Sequence, residues 1–202
     1  VWPVIAAIRR GFPAEGGFMT FRHHLRAAFC AMALCAAAAT PVVGAAELEL
    51  TLGDGTVPVA DAVASLHADA REATGATAVM DQRDSTFVPG VLPVQVGTAV
   101  SFPNSDQVQH QVYSFSTPKP FELPLYAGTP RAPILFDQPG VVVVGCNIHD
   151  WMIGYIVVLD TPYFGKSGAE GTVRVSAPPG RYTLRVWHPR LDAPVERPIE
   201  LG

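Results

Sequence analysis

Apolar and polar residues alternate along much of the chain at the period of a β-strand. "VLPVQVGTAVSF", residues 91–102, places Val94, Val96, Val100 and Phe102 in such a pattern, with Gly97 as a turn. "QHQVYSF" alternates through Val112 and Phe115 less cleanly. "VVVVG" (141–145) and "YIVVL" (155–159) are continuous apolar runs, as strands buried on both faces are. "TVRVSAPPGRYTLRVW" (172–187) reads as a hairpin-like pair: Val173 and Val175, a Pro-Pro-Gly break, then Tyr182, Leu184 and Val186. The one segment whose spacing also fits a helix is "DAVASLHADAREA", residues 61–73. Pro and Gly breaks recur at intervals of roughly ten residues, which favours an antiparallel sandwich. No long repeat is visible.

Composition narrows this picture. The chain has 202 residues, 49% of them hydrophobic, with 19 Pro and 18 Gly. That excludes a disordered tail or a long helical protein and leaves a β-rich protein of one large or two small domains. Residues 19–46, "MTFRHHLRAAFCAMALCAAAATPVVGAA", read as a secretory signal. Arg22 and Arg26 supply the positive start, 27–39 the apolar core, and Val43-Gly44-Ala45 the small residues of a cleavage site. The apolar core is short for a membrane span, so no membrane insertion is expected after cleavage. Residues 1–18 precede Met19 and are read as not part of the native protein.

Removal of this segment takes four of the fourteen basic residues and one of the eighteen acidic ones, leaving a formal charge of −7. Such a balance gives no reason to expect nucleic-acid binding. Cys30 and Cys35 leave too, so Cys146 remains alone. A single Cys in an exported protein forms no internal disulfide, and its thiol needs another explanation.

The explanation offered by the sequence is metal chemistry. "GCNIHDWM" holds Cys146, His149 and Met152 within seven residues after an apolar run, and His110 stands just before another strand. A thiolate, two imidazoles and a weak thioether suit copper cycling between Cu(I) and Cu(II). The expected ligand set is His110, Cys146, His149 and Met152. Taken alone, Cys146 is equally well a small buried hydrophobe and Met152 core filler. Zinc is a weaker match, because structural zinc sites take Cys and His without Met. His67 and His188 lack such company and read as structural or solvent-facing; Trp151 and Tyr155 read as packing residues rather than redox relays.

The order His…Cys-x2-His-x2-Met resembles the cupredoxins, the blue copper proteins, and its short ligand loop is most like that of amicyanin. The wider stretch from Met80 to Val158 is similar to bacterial methylamine-utilisation and cupredoxin-like proteins. The resemblance implies a Greek-key sandwich holding one type 1 copper, with imidazole nitrogens from His110 and His149, the thiolate of Cys146 and the axial sulfur of Met152. Two positions depart from it: Gln111 stands where the family commonly has Asn, and Asp150 where amicyanin-like loops have Pro. Both touch the surroundings of the ligands, which tune a metal's potential.

The flanks, "LGDGTVPVADAVASL" and "GKSGAEGTVRVSAPPGRYTLRVWHP", resemble the two halves of a carboxypeptidase-regulatory-like (transthyretin-like) sandwich. The expected fold is therefore all-β, a cupredoxin sandwich (77–160) inserted in or joined to a small second sandwich (47–76 plus 161–202). The alternative is that the flanks are extra strands of one larger sandwich. The functional expectation is a periplasmic one-electron carrier, not an enzyme. Its partner would be a redox protein such as a cytochrome c or a periplasmic dehydrogenase. Copper delivery or storage by the same ligands is the alternative.

Overall fold

The computed structural model describes residues 45–53, 57–68, 74–130 and 132–202, and the chain path of 4–11. Among these residues every regular element is a strand, so the all-β expectation holds. The strands are β1 (Val4–Gly11), β2 (Ala46–Gly53), β3 (Val63–His67), β4 (Thr77–Val79), β5 (Asp81–Arg83), β6 (Thr86–Val88), β7 (Val91–Gln95), β8 (Thr98–Ser101) and β9 (His110–Ser114). They continue with β10 (Phe121–Tyr126), β11 (Ile134–Phe136), β12 (Gly140–Cys146), β13 (His149–Leu159), β14 (Phe164–Lys166), β15 (Thr172–Ala177), β16 (Gly180–Trp187) and β17 (Val195–Leu201).

The middle of the chain forms one body. A five-stranded sheet in the order β10-β9-β12-β13-β7 packs against a three-stranded sheet, β11-β8-β4, with the β5–β6 hairpin alongside. Alternating residues point inward: Val142 and Val144 of β12 meet Phe102, Val112, Phe136 and Ile156 in a single apolar core. The flanks form a second body. Here β2 pairs with β15, and β3 lies between β14 and β16, with β17 beyond β16. Its core joins Leu48, Leu50 and Leu52 of β2 to Leu184 and Val186 of β16. The segment around 47–67 thus pairs with the C-terminal strands, across the whole length of the intervening body.

Two expectations are corrected. Residues 61–73 do not begin a helix: Val63–His67 is a strand with four buried residues in a row. Placed between two neighbours and covered on both faces, such a strand has no alternation to reveal it; residues 69–73 lie outside the described set. Residues 172–187 are not a hairpin either. β15 and β16 belong to different sheets, and Pro178-Pro179-Gly180 carries the chain from one layer to the other. Val173, Val175, Tyr182 and Leu184 therefore meet face to face across the core rather than edge to edge. The chain path Val4–Gly11 runs antiparallel along β2. The free edge of β2 accepts any β-prone segment. The expected signal segment, residues 19–46, falls almost wholly outside the described residues.

β13 links the two bodies. Its first residues reach the cluster described below, while Val157 and Leu159 at its far end pack with Val91, Val63, Phe164 and Trp187 at the junction. The Tyr155 and Trp187 rings meet there at 5.6 Å.

Candidate metal centre

β12 and β13 form a hairpin whose two-residue loop is Asn147-Ile148, and a register shift after Gly145 makes Cys146 and His149 cross-strand partners. This hairpin places both side chains at the same end of the sandwich. β9 lies on the other side of β12 and begins with His110 at that end. The Cys146 Sγ is 3.9 Å from Nδ1 of His110 and 3.9 Å from Nδ1 of His149. Donor atoms of all three residues lie within 4.8 Å of one another. His110 and Cys146 are buried, whereas His149 is half-buried and forms the edge nearest solvent. Met152 is buried in the same core cluster as Cys146. The structure thus gathers three of the four expected residues around one point and buries the fourth in the apolar core to which Cys146 belongs.

The donor set fits a metal ion. Ligands at about 2.0–2.3 Å from a common ion in a trigonal arrangement stand roughly 3.5–4 Å apart, which matches the two sulfur–nitrogen separations. The set of one sulfur and two imidazole nitrogens is the soft, borderline combination that copper favours.

What holds His110 is a network the sequence reading missed. Its Nε2 lies 2.7 Å from Oδ2 of Asp106. A carboxylate there accepts a hydrogen bond from Nε2–H, so Nδ1 keeps its lone pair toward Cys146. Asp106 is held in turn by the tip of the β5–β6 hairpin. The backbone N–H groups of Asp84 and Ser85 donate to its two oxygens at 2.7 and 2.9 Å. Both residues have positive φ, 53° and 52°, as a two-residue type I′ turn requires. These contacts, the Ser85 amide foremost, hold the Asp106 carboxyl below its ordinary pKa. The buried Asn104 completes the loop, donating at 2.9 Å to the carbonyls of Val108 and Tyr126 and accepting from the Asp106 amide at 3.0 Å. Beside it, the Tyr126 hydroxyl donates to the Phe102 carbonyl at 2.6 Å, and burial pushes its pKa up to about 12. The visible signals were the dipeptide "DS" between short alternating segments and an Asp four residues before the first His. Neither says that the two loops meet.

Gln111 does not bridge the ligand loops. Its amide donates to Glu122 on the neighbouring strand β10 at 2.6 Å. Trp151 corrects a further expectation, since it is no packing residue: it is 69% exposed, with its ring 5.2 Å from that of His149. On β13 it points outward while Met152 points in. Tyr155, in contrast, packs at the junction as expected. His188 is buried, and half-buried His67 pairs with Asp160. Both stand apart from the metal cluster.

No family model matches the chain, and no curated protein does. Solved structures do. A copper-containing nitrite reductase from Thermus scotoductus is 28% identical over 48% of this chain, with a TM-score of 0.40. The match spans a quarter of the reductase's length. A purple cupredoxin from Nitrosopumilus maritimus is 26% identical over 42% of this chain and 99% of its own, at a TM-score of 0.36. An oxidised amicyanin variant is 20% identical over 48% of this chain and 98% of its own, at 0.38.

Proposed function

We propose that this chain is an exported one-electron carrier that holds one type 1 copper at His110, Cys146, His149 and Met152. The observation that carries the reading is the buried thiol of Cys146 equidistant from two imidazole nitrogens. When bound there, copper supplies a centre that gains and loses one electron. The chain's own residues keep the donors in place whatever the oxidation state. The β12–β13 hairpin fixes Cys146 against His149, and the Asp106 clasp fixes His110. A ligand frame that does not rearrange keeps the cost of electron transfer low. The half-buried ring of His149 is the natural exit, bordered by the exposed Ile148, Asp150 and Trp151. We further read residues 47–76 with 161–202 as a carboxypeptidase-regulatory-like sandwich carrying the copper domain, 77–160. The test is voltammetry of the copper-loaded chain. A carrier gives a reversible one-electron wave and keeps its metal through repeated cycles. Transfer of Cu(I) to an acceptor chelator on each reduction would mark a delivery protein instead.

Met152 is expected to tune the centre rather than hold it. Met and Leu have similar volumes, so Met152→Leu should cost less than about 1.5 kcal/mol in stability. It should leave copper bound and raise the reduction potential, since a ligand stabilising the oxidised state is lost. Loss of copper on this change would show that Met152 holds the metal rather than tunes it.

The partner is expected to present a basic face. Asp150 is exposed beside His149, and the chain without its leader has a formal charge of −7. Opposite charges speed encounter and salt screens them. Electron transfer to a basic cytochrome c should slow as salt rises, and Asp150→Lys should slow it at low salt with the visible spectrum unchanged. Rates indifferent to salt would leave docking to Trp151 and Ile148.

A further inference from the structure

A second polar cluster lies at the junction of the two bodies, apart from the metal centre. β3 carries Ser65 and His67 two residues apart, so both side chains leave the strand on one face. Ser65 Oγ is 2.8 Å from Nε2 of His67. The other ring nitrogen, Nδ1, is 2.8 Å from Oδ1 of Asp160, at the end of β13. A carboxylate on Nδ1–H fixes the tautomer in which Nε2 bears the lone pair and accepts the serine hydroxyl proton. The Asp160 side chain is 46% exposed, but the chain that follows it is tied to β3. The next residue, Thr161, donates from its hydroxyl to the Leu66 carbonyl at 2.7 Å, and the Leu66 amide donates to the Tyr163 carbonyl at 2.8 Å.

This row of groups borders a cleft of about 280 Å³ between the bodies, walled by Val63, Val157, Leu159 and Trp187. Apolar clefts at domain junctions with a few convergent polar groups are where small ligands bind. Arg185 is the cross-strand neighbour of Ser65 and also lines the cleft, its Nε 2.7 Å from Glu196. Burial, then the charge of Arg185, lowers the pKa of His67 against the opposing pull of Asp160 and Glu196. The imidazole is therefore neutral at pH 7 and available as a base.

We propose that Ser65, His67 and Asp160 form a serine-nucleophile site that accepts a small carboxylic ester in the junction cleft. The roles follow the atoms. Ser65 Oγ bonds to the acyl carbon as its O–H bond breaks, and the proton moves to His67 Nε2. The bond from carbon to the alcohol oxygen then breaks, and the alcohol leaves with that proton. Water repeats the sequence on the acyl-serine, its proton passing through His67, to give the carboxylic acid and restore Ser65. Asp160 is a positioning residue, acting through the ring of His67. Arg185 supplies positive charge beside the carbonyl oxygen as it becomes anionic. The site draws nothing from the metal centre, so it stands or falls independently of the copper reading.

The test treats the full chain with ethyl p-nitrophenyl methylphosphonate, a small serine-directed phosphonylating ester, and maps the adduct by peptide mass spectrometry. The expected result is one stoichiometric adduct on Ser65 that is absent in Ser65→Ala. The rate should fall at least about 100-fold in His67→Asn, the lower end of what a general base contributes. It should also rise with pH to a plateau, with a midpoint below 6.5, the ordinary value of a histidine. Circular dichroism of each variant separates lost reactivity from lost fold. An unmodified Ser65 in the wild-type chain overturns the proposal, whatever the variants do. So does a labelling rate that His67→Asn leaves unchanged in a folded protein; the three residues are then a structural hydrogen-bonded row.

Discussion

Replacing Cys146 by Ser is expected to abolish intense visible absorption by the chain with Cu(II). The side chain is nearly isosteric, and the hairpin that carries it is fixed by the β12–β13 ladder from Gly140 to Gly145, so the fold should survive. What changes is the donor. A thiolate sulfur gives the strong charge-transfer band of a copper–thiolate bond and softens the site toward Cu(I); a serine hydroxyl does neither. His110 and His149 would still offer two nitrogens, so some Cu(II) should stay bound, pale and with a lower potential. The check is the visible spectrum of the variant beside that of the wild-type chain at equal copper. Colour that survives in Cys146→Ser would place the chromophore elsewhere.

Asp106→Asn is the second large effect. The carboxylate accepts from three donors: the ring of His110 and the amides of Asp84 and Ser85. An asparagine of the same shape keeps one oxygen as acceptor and turns the other position into a donor. Either an amide of the hairpin tip or His110 Nε2 then faces a group that cannot accept. The hairpin-tip amides lie at the surface, so the larger cost, about 1–3 kcal/mol, arises when the buried His110 ring loses its acceptor. Loss of the partner behind a metal-bound imidazole typically lowers metal affinity about 10–100-fold. The expected outcome is copper binding weaker by that factor, measured by competition with a chelator, and a raised potential, because a negative charge that favours Cu(II) is gone. Affinity unchanged within twofold would show that His110 is held by burial alone.

The residues of the candidate metal cluster were legible because they lie within short spans of sequence. Cys146, His149 and Met152 sit in seven residues, and the apolar runs on either side point to a hairpin, which pairs Cys146 with His149. His110 was legible by its chemistry, since the three need another nitrogen. The Asp106 clasp was not, because it joins residue 106 to 84 and 85 through backbone amides, and an amide leaves no mark in a sequence. Trp151 was misread for a similar reason. An aromatic residue between apolar neighbours looks like core, and only the facing of β13, with Met152 inward, turns it to solvent. In the second body the strand β3 was obscured by its own burial: "VASLH" has neither a period of two nor of 3.6. Once it is a strand, Ser65 and His67 share a face, but Asp160 arrives from the other end of the inserted segment, nearly a hundred positions along the chain.

The central claim, that one thiolate and two imidazoles bind a single copper, is tested most directly by titrating the full chain with Cu(II) and following the visible spectrum. The account predicts an intense band that grows linearly and stops at one equivalent. A spectrum that stays weak at one equivalent, or a band that keeps growing beyond it, would contradict the account.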